Sequence, residues 1–194
     1  MHAFTLAALL VAAPQNFSDL PPASSAAGPL KPTAPSKSTG DARGGVEALL
    51  GTREAISAAQ WRKLGPGAAP VLEAIVENAH ALATRRARAL EGLVALRSPR
   101  APALLERLVR AEEEPFVLRL AAVRGAGRTL GSARQLAALR PTLEKATDLK
   151  LRTAAADVLV HHPAGCAMVR EQAEREGPEA RSQLEVVLRR CATK

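Results

Sequence analysis

The chain has 194 residues, of which 47% are hydrophobic and 24% charged, so it can bury a core and is not disordered throughout. Alanine and leucine are abundant and β-branched residues are scarce, which excludes an all-β fold. Arginine supplies 21 of the 27 basic residues, and the formal net charge is +8. The chain has only three Phe, one Trp and no Tyr, which argues against nucleic-acid folds that stack bases on aromatic side chains.

Residues 3–13 form an uncharged apolar run, too short to span a bilayer, which takes about 20 residues. The run is typical of a secretory signal peptide, and residues 11–13 are small enough for a cleavage site. We therefore predict a signal peptide at 1–13, a secreted or periplasmic location, and no transmembrane segment in the mature chain. No Lys or Arg precedes the run and Pro14 is a poor residue after a cut, so a disordered apolar leader or a misassigned start codon stays open.

Residues 14–45 are rich in Pro, Ser, Ala, Gly and Thr and have neither helical nor alternating periodicity. Proline at this density blocks helix and sheet hydrogen bonding alike. We predict a disordered linker at 14–45 and a folded domain at 46–194.

Helical patterning is nearly continuous from Val46 and is broken by Gly and Pro at short intervals. Thr52 is the predicted N-cap of a helix that ends at Gly65, and Pro141 predicts a kink or a late start in its helix. Connections of two or three residues predict antiparallel neighbours. The predicted helices are 53–64, 68–80, 83–97, 100–112, 116–130, 133–146, 149–161, 165–176 and 179–192.

An arginine recurs at a nearly constant interval, at Arg86, Arg119, Arg152 and Arg181, which are 33, 33 and 29 residues apart. Each is followed by apolar residues three and seven positions later, and this spacing turns one helix face towards the core. The residues three positions on are Ala89, Ala122, Ala155 and Leu184, and those seven positions on are Leu93, Ala126, Leu159 and Leu188.

Residues 114–122 (Glu-Pro-Phe-Val-Leu-Arg-Leu-Ala-Ala) and 148–155 (Asp-Leu-Lys-Leu-Arg-Thr-Ala-Ala) carry the clearest likeness to a known pattern. The chain resembles the HEAT-repeat family, including its phycobilisome-lyase-type relatives, over about residues 66–192. The resemblance implies an all-α fold, an α-solenoid of about four antiparallel helical hairpins. It also implies that the four recurring arginines form a structural ladder, each binding an acidic group or a helix end in the next repeat. Asp148, four residues before Arg152, suits that role.

Cys166 and Cys191 are the two cysteines of the chain. If the last two helices form an antiparallel hairpin that turns at Gly177 and Pro178, the two thiols lie at about the same level on facing helices. Such a pair fits a disulfide in an exported protein, which would staple the last hairpin. The alternative is two small buried apolar residues.

No motif for nucleophilic catalysis, nucleotide phosphates or a metal ion occurs in the chain. Gly125 and Gly127 do not follow a strand, and the acidic run at residues 112–114 is typical of a solvated helix terminus. We therefore predict a protein that is not an enzyme, with no catalytic, cofactor-binding or metal-binding residues and no small-molecule substrate.

Residues 84–134 contain eleven arginines and five acidic residues, a net +6 of the chain's +8. Outside the ladder, the candidate partner-binding residues are Arg85, Arg88, Arg107, Arg110, Arg124 and Arg128. Arginine binds carboxylates and phosphates well, so we predict a protein-interaction scaffold for an acidic partner. Three alternatives stay open: an ordinary solvated surface, an anionic polymer or envelope surface as the partner, and a cytosolic protein that binds the nucleic-acid backbone.

Overall fold

The computed structural model describes residues 39–193, with side chains from 41 to 191, so the predicted signal peptide and residues 14–38 lie outside the described residues. Within 39–193 the regular structure is entirely helical, which confirms the all-α prediction. Two 3₁₀ segments lie at Pro66–Ala68 and Arg189–Thr193. The ten α-helices of this part of the chain are α1 Thr39–Leu50, α2 Ala58–Lys63, α3 Ala69–Glu77, α4 Ala83–Ala95, α5 Ala101–Arg110, α6 Phe116–Thr129, α7 Ser132–Lys145, α8 Leu149–Leu159, α9 Pro163–Arg175 and α10 Pro178–Leu188.

Local sequence signals fix where most of these helices begin. Proline occupies one of the first two positions of α3, α5, α9 and α10, where its missing N–H costs no helical hydrogen bond. Pro115 is the N-cap of α6. Asp148 is the N-cap of α8, and its Oδ1 accepts hydrogen bonds from the backbone N–H groups of Lys150 and Leu151.

The helix predicted to begin after Thr52 begins later, so the N-cap assigned to Thr52 is wrong. The N-cap of α2 is Ser57, which forms a capping box with Gln60: the Ser57 hydroxyl accepts from Gln60 N at 3.2 Å and the Gln60 Oε1 accepts from Ser57 N at 2.8 Å. Thr52 instead donates its hydroxyl to the Leu49 carbonyl at the end of α1. Gly65 follows α2 with a φ of 75°, a conformation that glycine adopts readily.

The predicted boundary at 45/46 falls inside α1, which already begins at Thr39. Ala42, Val46 and Leu50 recur every four residues and are all buried, so one apolar stripe extends across the boundary. The late start predicted for the helix around Pro141 is also wrong. α7 begins at Ser132 and continues past the proline, with buried Leu139 and Leu143 on either side of it.

Each helix from α3 onward packs against its neighbour in sequence to form a pair, and alternate helices also contact one another along two rows. α3 packs on α4, α5 on α6, α7 on α8 and α9 on α10. The helices α4, α6, α8 and α10, here called the even row, also contact one another in that order, and α5, α7 and α9 do the same. Their buried side chains form a continuous core.

The even row buries the residues that recur after the ladder arginines. Three and seven positions after Arg86, Arg119 and Arg152, every side chain is fully buried. Small residues also let the helices approach closely: a Cβ at Gly127 of α6 would lie 2.9 and 3.0 Å from the two methyl groups of Val158 in α8. The even-row helices are therefore closely packed against one another through small and apolar residues.

Candidate interaction surface

Each ladder arginine lies at the same place in its helix, four residues after the N-cap of an even-row helix. Arg86 in α4 donates from Nη1 and Nη2 to the two carboxylate oxygens of Glu114, at 2.7 Å each, and from Nε to the Val76 carbonyl at 2.8 Å. Glu114 immediately precedes Pro115, the N-cap of α6. The first turn of one even-row helix is thereby joined to the start of the next.

Arg152 in α8 repeats this contact two even-row helices further on, forming an ion pair with Glu176, which immediately precedes the N-cap of α10. It does not bind Asp148, whose carboxylate caps α8. Arg181 in α10 donates to the carbonyls of Ala173 and Glu174 near the end of α9, at 3.1 and 2.9 Å.

Arg119 differs from the other ladder arginines. Its side chain forms no hydrogen bond or ion pair with a described residue, and its Nε, like that of Arg152, is buried without a partner. The position before the N-cap of α8, where Glu114 and Glu176 stand in the neighbouring helices, is Thr147, which has no carboxylate. The ladder therefore lacks an acid at its middle position.

Three of the six candidate partner-binding arginines are engaged within the chain. Arg85 forms an ion pair with Glu47 of α1. Arg88 donates to the carbonyls of Thr52 and Glu54 in the segment after α1. Arg107 pairs with Glu77 of α3 at 3.0 Å.

Arg110 lies on α5 and not on the even row, one turn after Glu106. The hydrogen bond that Arg134 donates to Glu106, at 2.7 Å, lowers the pKa of the Glu106 carboxyl, and the positive charge of Arg110 adds to this effect. Arg110 thus belongs to a mixed-charge cluster on another set of helices.

Arg124 and Arg128 lie one turn apart on α6, in the middle of the even row. Both side chains are exposed, and neither forms a hydrogen bond or ion pair with any residue of the described part of the chain. Of the six candidates, these two present uncompensated positive charge beside the grooves of the even row.

A groove lies on one side of Arg124, between α6, α8 and α10, with a volume of 730 Å³. Its apolar lining includes Phe116, Leu120 and Val186, of which Phe116 and Val186 are 40% and 53% exposed. Arg124 and Lys150 supply positive charge at its edge. We call this surface the Phe116 groove.

A second cavity, of 690 Å³, lies beside Arg128, between α2, α4 and the end of α6. Trp61 forms part of its floor, and Arg62 and Arg97 line it together with Arg128. We call it the Trp61 pocket. Sequence patterning did not single out Arg62 or Arg97, because a lone arginine near a helix end carries no signal of its own.

The sulfur atoms of Cys166 and Cys191 lie 2.19 Å apart, at disulfide distance, with Cα atoms 6.1 Å apart. Cys166 is in the first turns of α9, and Cys191 is in the 3₁₀ segment that follows α10 rather than in a helix extending to residue 192. The pair connects α9 to the end of the described chain.

The described residues 39–193 contain no group of three or more His, Cys, Asp or Glu side chains suited to a metal ion. No helix among them is both long and apolar enough to cross a bilayer. Comparison with protein-family models, curated proteins and solved structures finds no match to the chain.

Proposed function

We propose that the helical domain is a HEAT-like α-solenoid of about four antiparallel hairpins and serves as a non-enzymatic scaffold that binds an acidic protein partner. The solenoid is supported by the pairwise packing of the helices, the ordered contacts along the even row, and the 33-residue spacing of the ladder arginines. In such an array each repeat buries its apolar face against its neighbours and leaves an extended outer surface for a partner.

The observation that carries the binding proposal is the exposed, unpaired state of Arg124 and Arg128. Elsewhere in the domain, arginines such as Arg85 and Arg107 are already neutralised by carboxylates of the same chain. Uncompensated guanidinium groups beside an apolar groove favour a partner that brings carboxylates together with apolar side chains. We infer that an acidic segment of a protein lies along α6 and inserts apolar residues into the Phe116 groove.

Export is the second part of the proposal. It rests on the apolar run at residues 3–13 and on the two cysteines at disulfide distance, since disulfides persist outside the cytosol. The test is the intact mass of the native protein, alkylated without reduction. A mass lacking about the first 13 residues and no labelled thiol supports export; a full-length mass with both thiols labelled contradicts it.

The binding proposal is tested by photo-crosslinking from position 186, where Val186 is exposed in the Phe116 groove. A photoreactive residue there should give a discrete adduct with a protein whose crosslinked segment is rich in Asp and Glu. The adduct should disappear with Arg124→Glu, a single charge reversal in the Phe116 groove. It should persist with Arg170→Glu, a matched change at an exposed arginine of α9. Loss of the adduct in the Arg170 variant, or a crosslinked segment without acidic residues, would overturn the proposal.

The alternative is a cytosolic protein that binds nucleic-acid backbone. The exposed cations Arg124, Arg128 and Lys150 on neighbouring helices favour it, because phosphate contacts need charge and not aromatic platforms. Under this alternative, Arg124→Gln lowers the salt dependence of DNA binding by about one unit of slope. If the protein does not bind DNA even at low salt, this alternative is excluded.

A further inference from the structure

We propose that the Trp61 pocket binds a small phosphate monoester whose phosphate is carried on an apolar group. This site goes beyond the scaffold function and is formed by different residues, apart from Arg128 at its edge. It rests on three features: the charge of the lining, the apolar floor, and the backbone conformation of Arg97.

Three arginines from three separate segments line the pocket: Arg62 from α2, Arg97 from the turn after α4, and Arg128 from the last turn of α6. All three side chains are exposed, and none forms a hydrogen bond or ion pair with a described residue. The one carboxylate in the lining is Glu91, which leaves a net charge of +2. A phosphate monoester, with a charge of about −1.5 to −2 at neutral pH, matches this excess better than a single carboxylate does.

The floor of the pocket is apolar. Trp61 is almost fully buried, and Ile56, Val94 and Ala95 are partly buried beside it. The volume of 690 Å³ lies within the range of small-molecule sites, about 300–1,000 Å³. A ligand that places its phosphate at the arginines can therefore bury an apolar body against Ile56, Val94 and Ala95, directly beside the indole.

Arg97 is held in a conformation that arginine rarely adopts. Its φ is 54°, the one positive value outside glycine in the described residues. It closes α4 in a Schellman motif, with Ser98 N donating to the Leu93 carbonyl at 3.0 Å and Arg97 N donating to the Val94 carbonyl at 3.1 Å. Glycine is the usual residue at this position because it lacks the steric cost of a Cβ.

The turn that holds Arg97 is fixed by its neighbour. Ser98 is buried, and its hydroxyl donates to Glu73 of α3 at 3.0 Å. Arg97 therefore stands at the pocket edge on a turn held by Ser98, at a position where glycine would strain the backbone less. Strained backbone of this kind is typical of ligand-binding residues.

The chain carries its own probe, since Trp61 is its one tryptophan and it has no tyrosine. The full-length protein is titrated with phenyl phosphate while the Trp61 emission is recorded, and in parallel with benzoate and inorganic phosphate. We expect a saturable change with phenyl phosphate and an affinity at least about tenfold weaker for benzoate, which has one charge, and for inorganic phosphate, which has no apolar body.

Arg97→Gly separates binding from folding, because it should keep or raise the melting temperature while weakening phenyl phosphate binding at least about tenfold. Arg62→Gln should weaken binding likewise. The matched control Arg170→Gln should bind as the unaltered chain does. Arg124→Glu, in the Phe116 groove, should also leave phenyl phosphate binding unchanged, so this proposal and the scaffold function can fail separately.

Three results would overturn the proposal. The first is the absence of a saturable change up to about 10 mM phenyl phosphate, a concentration that corresponds to a binding free energy of only about −3 kcal/mol. The second is unaltered binding by Arg97→Gly and Arg62→Gln. The third is an equal loss in Arg170→Gln, which would make the effect one of total charge.

Discussion

Arg86 and Glu114 form a bidentate ion pair, in which both hydrogen bonds are 2.7 Å long. The Arg86 side chain is 5% exposed and the Glu114 side chain 14% exposed. The pair joins the first turn of α4 to the residue before α6. Because the guanidinium is withdrawn from water, removing its partner leaves a charge without compensation.

Glu114→Gln should therefore lower the free energy of unfolding by about 3 kcal/mol, as expected when one member of a buried pair is removed. Urea unfolding monitored by circular dichroism measures the loss. The matched control is Glu77→Gln, which removes the partner of Arg107 in a pair that is about half exposed and should cost less than about 1 kcal/mol. Equal losses in the two variants would show that burial does not set the strength of these pairs.

The missing acid of the ladder can be supplied. Thr147→Glu places a carboxylate where Glu114 and Glu176 stand relative to their arginines, and it should pair with the Nη atoms of Arg119, as those two acids do with Arg86 and Arg152. We expect a gain of about 1 kcal/mol in unfolding free energy. In an Arg119→Gln background the same substitution should gain nothing, and a gain that persists there contradicts the pairing.

The close approach of α6 to α8 depends on a glycine. Gly127→Ala should destabilise the domain by about 1 kcal/mol, because the clash with the stiff Val158 side chain outweighs the higher helix propensity of alanine. Gly44→Ala in α1, where a Cβ meets nothing within 4 Å, should instead be neutral or stabilising. Val158→Ala should relieve the clash in the double variant; if it does not, α6 and α8 do not pack as described.

The Glu106 carboxyl provides a pH-dependent contribution to stability. Its pKa is lowered in the folded protein by the hydrogen bond from Arg134, so the contribution is present above the unfolded pKa and is lost as pH falls through the folded pKa. The melting temperature of Glu106→Gln should lie below that of the unaltered protein at about pH 6, and the gap should close towards about pH 2. Glu112→Gln, at an exposed position without an ion pair, should show no such gap.

Reduction tests whether a disulfide between Cys166 and Cys191 stabilises the C-terminal end of the described domain. A bond between Cys166 and Cys191, 25 residues apart in sequence, should stabilise the fold by about 3 kcal/mol, mostly by restricting the unfolded chain. Unfolding with and without dithiothreitol measures the difference, and Cys166→Ser should abolish its dependence on reductant. An unaltered midpoint after reduction would mean that the two cysteines are not bonded and serve only as partly buried apolar residues packed against the core.

Helices α3 to α10 were predictable to within a few residues because proline and glycine mark most of their ends, and because apolar residues repeat at helical spacing between them. The start of α2 was not predictable, because Thr52 and Ser57 are both good N-caps by residue type. The choice between them depends on Gln60, whose side chain completes the capping box at Ser57. The acidic run at 112–114 has the sequence of a solvated helix terminus, yet Glu114 is the partner of Arg86.

The candidate surface was predictable in part. Local charge identifies Arg124 and Arg128, but Arg85 and Arg107 look the same in sequence. Their carboxylate partners, Glu47 and Glu77, lie 38 and 30 residues earlier, and such pairings exist only once the helices have packed. Arg97 could not be identified from the sequence, because its proposed role depends on a backbone angle and on the cavity beside it.

The ladder has a direction: Arg86 and Arg152 each reach forward to an acid at the start of the next even-row helix, and Arg181 at the end turns back to the carbonyls of α9. Shortening the chain from its two ends should therefore not be equivalent. Removing α9 and α10 leaves the Arg152 guanidinium without Glu176, whereas removing the helices before α5 leaves the Glu114 carboxylate, which follows α5, without Arg86. The same asymmetry specifies how the array could be lengthened. A repeat inserted between α8 and α9 needs only an acid before its second helix and an arginine four residues after that helix's N-cap to continue the series.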